Sequence, residues 1–154
     1  MVRLSDIEPT ERGHLLDKLC PAFTTSPFVG GPPLAERRLA LVTTAGLIRR
    51  GDSPFALRSG DYRVIPGDTD GSDLIMSHTS VNFDRTGFQQ DVNVVFPIDR
   101  ARELVDAGEL DSLADHHYSF MGAFLEADGY EAGARELAGL LQADGVNAVA
   151  LSPV

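Results

Sequence analysis

Cysteine is almost absent from this 154-residue chain: Cys20 stands alone, which excludes an internal disulfide, a thiol–thiol couple within the chain and a cysteine-based zinc cluster. Positive charge is also scarce, with 13 Lys plus Arg against 23 Asp plus Glu and a net charge of -10. DNA, RNA and anionic membrane surfaces are therefore repelled at long range, and nucleic acid and membrane are not expected partners. Lysine itself is nearly missing, Lys18 being the only one. The cations are thus almost all arginine, whose planar fork suits fixed pairs with carboxylates. No apolar run approaches the roughly 18 to 20 residues that span a bilayer. The opening Met1-Val2-Arg3-Leu4-Ser5-Asp6-Ile7-Glu8-Pro9 is charged and broken by proline, unlike a signal peptide, so a cytoplasmic location is expected.

What remains is an ordinary globular composition, 43 % hydrophobic and 23 % charged, with a mean hydropathy of -0.06. A chain of this length buries roughly 70 % of the surface it exposes when unfolded, enough for one core without staples. Two textures divide it. Residues 1–33 read as a short helix over 9–19, capped near Thr10 with Ile7, Leu15, Leu16 and Leu19 on one side, then a proline-rich arm. In that arm Phe23 and Phe28 are anchors, either to the chain's own domain or to a partner subunit, and Cys20 reads as a small buried hydrophobe. Residues 34–154 read as a Rossmann-like α/β domain, a three-layer sandwich with a mostly parallel sheet. Its predicted strands are 38–43, 62–66, 73–78, 92–96, 117–122 and 146–151, with helices over 98–107 and 130–143. Gly51, Pro54 and Gly60 make 46–60 an irregular loop with one helical turn.

Chemistry concentrates in Ser77-His78-Thr79-Ser80-Val81-Asn82-Phe83-Asp84-Arg85, which follows a predicted strand. Arg85 can clamp a carboxylate, Asp84 can orient Arg85 or a ligand amine, and His78 can act as acid or base, which together suit a small amino-acid-like ligand. The same spacing also describes a structural Asp–Arg pair with a histidine capping the loop. His116 and His117 are adjacent on a predicted strand, so they point to opposite faces. His117 can converge with His78 and Asp84, or simply pack, and no compact His-x-x-x-His spacing marks a metal site. Thr43 and Thr44 close the first strand where ligands bind in such sheets, and Asn82 and Tyr118 complete the candidate substrate contacts. His14 is expected to face solvent.

Leu41-Val42-Thr43-Thr44-Ala45-Gly46, Asp61-Tyr62-Arg63-Val64-Ile65-Pro66, the block from Ser77-His78 to Phe96-Pro97 and Asp115-His116-His117-Tyr118-Ser119-Phe120-Met121-Gly122 occur in that order. Together they resemble the selenoprotein B family of glycine, sarcosine, betaine and D-proline reductases, over about 34–154. The resemblance implies reductive cleavage of a carbon–nitrogen bond in an amino acid or its N-methylated relative, by a cysteine or selenocysteine nucleophile, with a partner subunit carrying a pyruvoyl group. It also implies that the nucleophile follows a strand matching 148–154. Cys20 does not match that position, so no cofactor is expected in this chain and a partner-borne thiol, selenol or pyruvoyl group is. The resulting expectation is an oligomer, with a second reductase subunit as a candidate partner. The alternatives are a non-catalytic paralogue that stabilises a hetero-oligomer, and an enzyme repurposed around His78, Asp84, Arg85 and His117, with or without a metal.

Overall fold

The computed structural model describes residues 3–18, 22, 24, 26, 28–80, 85–123 and 125–154. Its centre is β1 (Arg38–Thr43), the apolar run Leu39-Ala40-Leu41-Val42 bounded by charge at one end and by small residues at the other. Such a strand is stable only when both edges are paired and both faces are covered. On one side β1 pairs in parallel with β7 (Ala148–Ser152), Leu39 opposite Ala148 through Thr43 opposite Ser152. On the other it pairs in parallel with β5 (Ser112–Leu113) and then β6 (His116–Phe120). An outer strand, β3 (Tyr62–Pro66), runs antiparallel to β6. The sheet is therefore mixed, mostly parallel, with an antiparallel strand at one margin and β7 at the other.

Alternation along β1 assigns the two faces. Leu39 and Leu41 pack with Ile65, Phe96, Leu113, Ala150 and with Ile98 of α3 (Ile98–Asp106). Val42 packs on the other face with Tyr118, Phe120 and with Leu137 and Leu141 of α4 (Glu131–Ala143). Each buried Leu or Phe contributes about 1.5–3 kcal/mol by leaving water. Both helices form where the apolar spacing predicts them. Pro97 caps α3, and Gly108, at φ +71°, takes the left-handed conformation just beyond its end. In α4 only Leu137 of the expected apolar face is fully buried; Ala134, Ala138 and Leu140 face outward.

Several expectations are corrected. The segment 46–60 has no helical turn; it contains β2 (Leu47–Arg49), which pairs antiparallel with β4 (Leu74–Met76) in a separate two-stranded ribbon. The run at 73–78 therefore does not join the main sheet, and 62–66 enters it antiparallel. Val92-Asn93-Val94 is a 3-10 turn rather than a strand, because the Asp91 carboxylate accepts from the Asn93 N–H and closes a turn that outweighs the β-branched valines. The first helix, α1 (Pro9–Leu16), is shorter than expected; its cap is Glu8, which accepts from the Thr10 and Glu11 N–H groups. No described residue from 3 to 36 is buried, and Phe28, at 88 % exposure, is not anchored to this domain. Cys20 and Phe23 lie outside the described residues. No helix among the described residues is long and apolar enough to cross a membrane.

Candidate functional site

The carboxyl ends of β1 and β6 converge with the start of the loop after β4. Gly46 makes this convergence possible: at φ +66° it presses against the His78 backbone, where a Cβ would stand 3.0 Å from the His78 nitrogen and Cα. Its carbonyl accepts from the Ser77 N–H (2.8 Å), and its own N–H donates to the Phe120 carbonyl (2.8 Å). Thr79 Oγ1 meets Met121 Sδ at 3.2 Å, and the Tyr130 hydroxyl donates to the Met121 carbonyl at 2.7 Å. These contacts bind the 77–80 loop to the sheet edge.

His78 is buried, and its Nδ1 accepts from the Ser80 N–H at 3.2 Å, so the proton of the neutral ring sits on Nε2. Burial, and after it the Arg85 guanidinium, holds this imidazole below the ordinary histidine value. Arg85 Nη2 donates to the His78 carbonyl at 2.8 Å and to the Ser80 carbonyl, strapping the loop from its far end. Arg85 also lines a cleft of about 270 Å³ with Leu74, Ile75, Met76, Phe88 and Gln89, the last two on α2 (Thr86–Gln90). The two adjoining candidates, Asn82 and Asp84, lie outside the described residues.

Thr43 and Thr44 reach the same edge, with their hydroxyls engaged by the last residues of the chain. Thr43 Oγ1 donates to the Ser152 carbonyl (3.2 Å) and accepts from the Ala45 N–H (3.1 Å); Thr44 Oγ1 accepts from the Val154 N–H (2.8 Å). Sequence reasoning missed the stitching groups Ser77, Ser119 and Met121. Ser119 Oγ accepts from the Leu47 N–H at 2.7 Å and Ser77 Oγ from the Phe55 N–H at 3.0 Å. Gly122 offered a signal, because a Cβ there would lie 2.7 Å from Thr44 Cβ.

His117 and Tyr118 are placed elsewhere. Between the Leu39–Leu113 and Val42–Tyr118 pairs, Ala40 and Leu41 of β1 stand opposite Ala114, Asp115, His116 and His117, so the partner strand bulges. The bulge frees the Leu41 N–H from the ladder, and His117 Nδ1 accepts it at 3.1 Å. The ring is fully buried, edge-on to Phe96 at 5.8 Å between centroids, and its Nε2 finds no hydrogen-bond partner among the described residues. Burial first, then Arg102, pushes its pKa down to about 4. His117 fills a gap in the sheet. His116 faces outward, as adjacent positions on a strand require. Tyr118 lies within the core beneath α4, edge-on to Tyr62 at 5.8 Å.

Comparison with known proteins gives one consistent result. The profile of the glycine/sarcosine/betaine reductase selenoprotein B family matches residues 29–153. D-proline reductase subunit gamma of Acetoanaerobium sticklandii is 37 % identical over 122 residues, 77 % of this chain and 49 % of the relative. Glycine reductase complex component B subunit gamma of Symbiobacterium thermophilum is 31 % identical over 141 residues, 86 % of this chain and 32 % of the relative. The chain thus spans about half the length of the first relative and about a third of the second. No solved structure matches it significantly. The chain belongs to the selenoprotein B family of glycine, sarcosine and betaine reductases.

Proposed function

With family membership as premise, we propose that this chain is the substrate-holding part of a reductase complex that cleaves the Cα–N bond of an amino acid or N-methylated amino acid, the redox nucleophile being carried by another chain. The Cα–N bond breaks, Cα and the departing nitrogen each gain a hydrogen, and a partner-borne dithiol or thiol–selenol pair is oxidised, supplying two electrons and two protons. No step in this balance requires a nucleophile from Cys20.

Arg85 carries the reading. Strapped across the His78–Ser80 turn, it opens onto a cleft with Leu74, Met76 and Phe88 on the apolar side. A carboxylate beside a small apolar body, as in D-proline or an N-methylated glycine, matches that division. His78, buried and with Nδ1 accepting from the Ser80 N–H, shapes the turn that Arg85 straps rather than delivering a full positive charge.

Calorimetric titration with D-proline, sarcosine and glycine tests the binding half. Arg85→Ala is expected to weaken the best ligand at least tenfold and Arg85→Lys by less; unchanged affinity in Arg85→Ala removes Arg85 from the site. A stabilising, non-catalytic role is the second reading, favoured by the Thr43 and Thr44 hydroxyls being occupied by the chain itself. Turnover separates the two: reduction of D-proline by the assembled complex that is lost in Arg85→Ala supports the catalytic reading, and turnover indifferent to that change supports the stabilising one.

A further inference from the structure

The cleft that Arg85 borders holds a second polar side chain that the reading above leaves unused. Positions three and four apart share one face of a helical turn, so Arg85, Phe88 and Gln89 look the same way. The Gln89 N–H donates to the Arg85 carbonyl at 3.1 Å, the link that closes this turn. Phe88 packs against the core cluster that contains Leu74, which fixes the rotation of α2 and keeps Arg85 and Gln89 on the same cleft. Gln89 is exposed, and its side-chain amide makes no hydrogen bond to a described residue.

The opposite wall is β4, and the cleft meets Leu74, Ile75 and Met76 in succession. Side chains alternate across a strand, so a cavity touching three consecutive residues runs along an edge of β4 rather than over one face. The Arg50 N–H donates to the Asp73 carbonyl and the Ser77 N–H to the Gly46 carbonyl, both at 2.8 Å, while Ile75 stands opposite Ile48. Residues 73, 75 and 77 are thus the positions bonded to β2, and Leu74 and Met76 turn their backbone groups to the other edge. No strand among the described residues pairs with that edge. The Leu74 N–H is taken by the Gly71 carbonyl, and the Leu74 and Met76 carbonyls point outward along the cleft. These acceptors and the Gln89 oxygen are all neutral, and no carboxylate among the described residues lines the cleft.

We propose that Gln89, facing the outward carbonyls of β4, recognises the substrate amine and makes the cleft selective for amino acids whose nitrogen keeps at least one N–H. This rests on the reading above that Arg85 takes the substrate carboxylate. A carboxylate attracts any cation by charge, whereas neutral oxygens hold an ammonium group through its N–H bonds. A primary or secondary ammonium satisfies Gln89 Oε1 and a β4 carbonyl together. A trimethylammonium group has no N–H, so it strips water from these oxygens and returns no hydrogen bond. D-proline and betaine have the same number of non-hydrogen atoms, so size does not separate them and the N–H does.

Calorimetric titration of the full chain with glycine, sarcosine, N,N-dimethylglycine and betaine removes the N–H groups one at a time while the carboxylate stays constant, and D-proline is the size match for betaine. Betaine is expected to bind weaker than D-proline by about tenfold or more. Gln89→Leu is expected to narrow that ratio to about threefold or less, and Gln89→Glu, which adds a charge, to recover betaine binding while keeping D-proline. Both variants should keep the thermal midpoint, because the side chain is exposed. Betaine binding as tightly as D-proline, or a ratio that Gln89→Leu leaves in place, overturns the proposal. Arg85→Ala in the same titrations judges the reading beneath it. A ratio set by Gln89 in a chain whose affinities ignore Arg85→Ala defeats that reading alone. Affinity lost in Arg85→Ala with a ratio indifferent to Gln89→Leu defeats the amine assignment alone, and absence of binding by every ligand overturns both.

Discussion

The two margins of the main sheet are built to opposite rules. At β3 the edge carries Arg63, whose guanidinium lies 4.3 Å from the centre of the Phe55 ring, and ends in Pro66, which has no N–H to offer. The loop before it is also clamped: a Cβ at Gly60 would stand 2.5 Å from the Gly129 carbonyl oxygen, and one at Gly133 3.1 Å from the Gly60 carbonyl oxygen. At β7 there is no charge, no proline within the strand and no close backbone approach from α4, where Gly139 faces open space. Charge and proline close one margin against another strand; their absence leaves the other receptive.

The largest way to stress this contrast is acid, because His117 sits on the β3 side, opposite Ile65. In the unfolded chain an ordinary imidazole protonates near pH 6.5, whereas His117 stays neutral in the fold down to about 4. Between those values the unfolded state binds the proton first, so stability is full above pH 6.5 and falls as the pH drops toward 4. The loss attributable to this group is about 3 kcal/mol. Urea midpoints measured at pH 7 and pH 4.5 should show it, and His117→Gln should flatten the difference between them.

Next in size is Gly60→Ala, which forces a methyl group against the Gly129 carbonyl and is expected to destabilise the chain by about 1–3 kcal/mol in chemical denaturation. Gly139→Ala, in the open part of α4, should do the reverse and stabilise by about 0.5–1 kcal/mol. An equal penalty at both glycines would erase the distinction between the clamped and open sides. The smallest effects belong to Val64→Lys and Leu151→Lys: both side chains are already exposed, so each should move the isolated chain's stability by less than about 0.5 kcal/mol. A larger loss for Leu151→Lys would mean that β7 is already covered in the free protein.

The sequence disclosed those elements whose burial pattern is strong and local. β1 and β7 are short apolar runs, and α3 and α4 have helical spacing; all four lie where the pattern puts them. β4 lies within the strand read at 73–78, but its partner β2 was hidden because three residues are too short for alternation to register. Val92-Asn93-Val94 was misread because β-branched residues signal a strand, while the deciding interaction is a side-chain cap from Asp91. In the site, His78 and Arg85 were legible from a dense polar loop after a strand, and they do share that loop. The bulge that turns His117 into a sheet filler depends on the register between β1 and β6, and register is a property of two distant segments. The same holds for the hydroxyls of Thr43 and Thr44, whose partners lie more than a hundred residues away.

That separation has a kinetic consequence. The Arg38 N–H donates to Asn147 Oδ1 across 109 positions, and β1 is the strand on which the whole sheet depends. During synthesis at roughly 5–20 residues per second, β1 waits on the order of 5–20 s after emerging before β7 exists to pair with it. Throughout that interval the central strand of the sheet is a nascent segment with one edge bare, so folding by this chain is slow by topology and exposed to capture by chaperones on the ribosome.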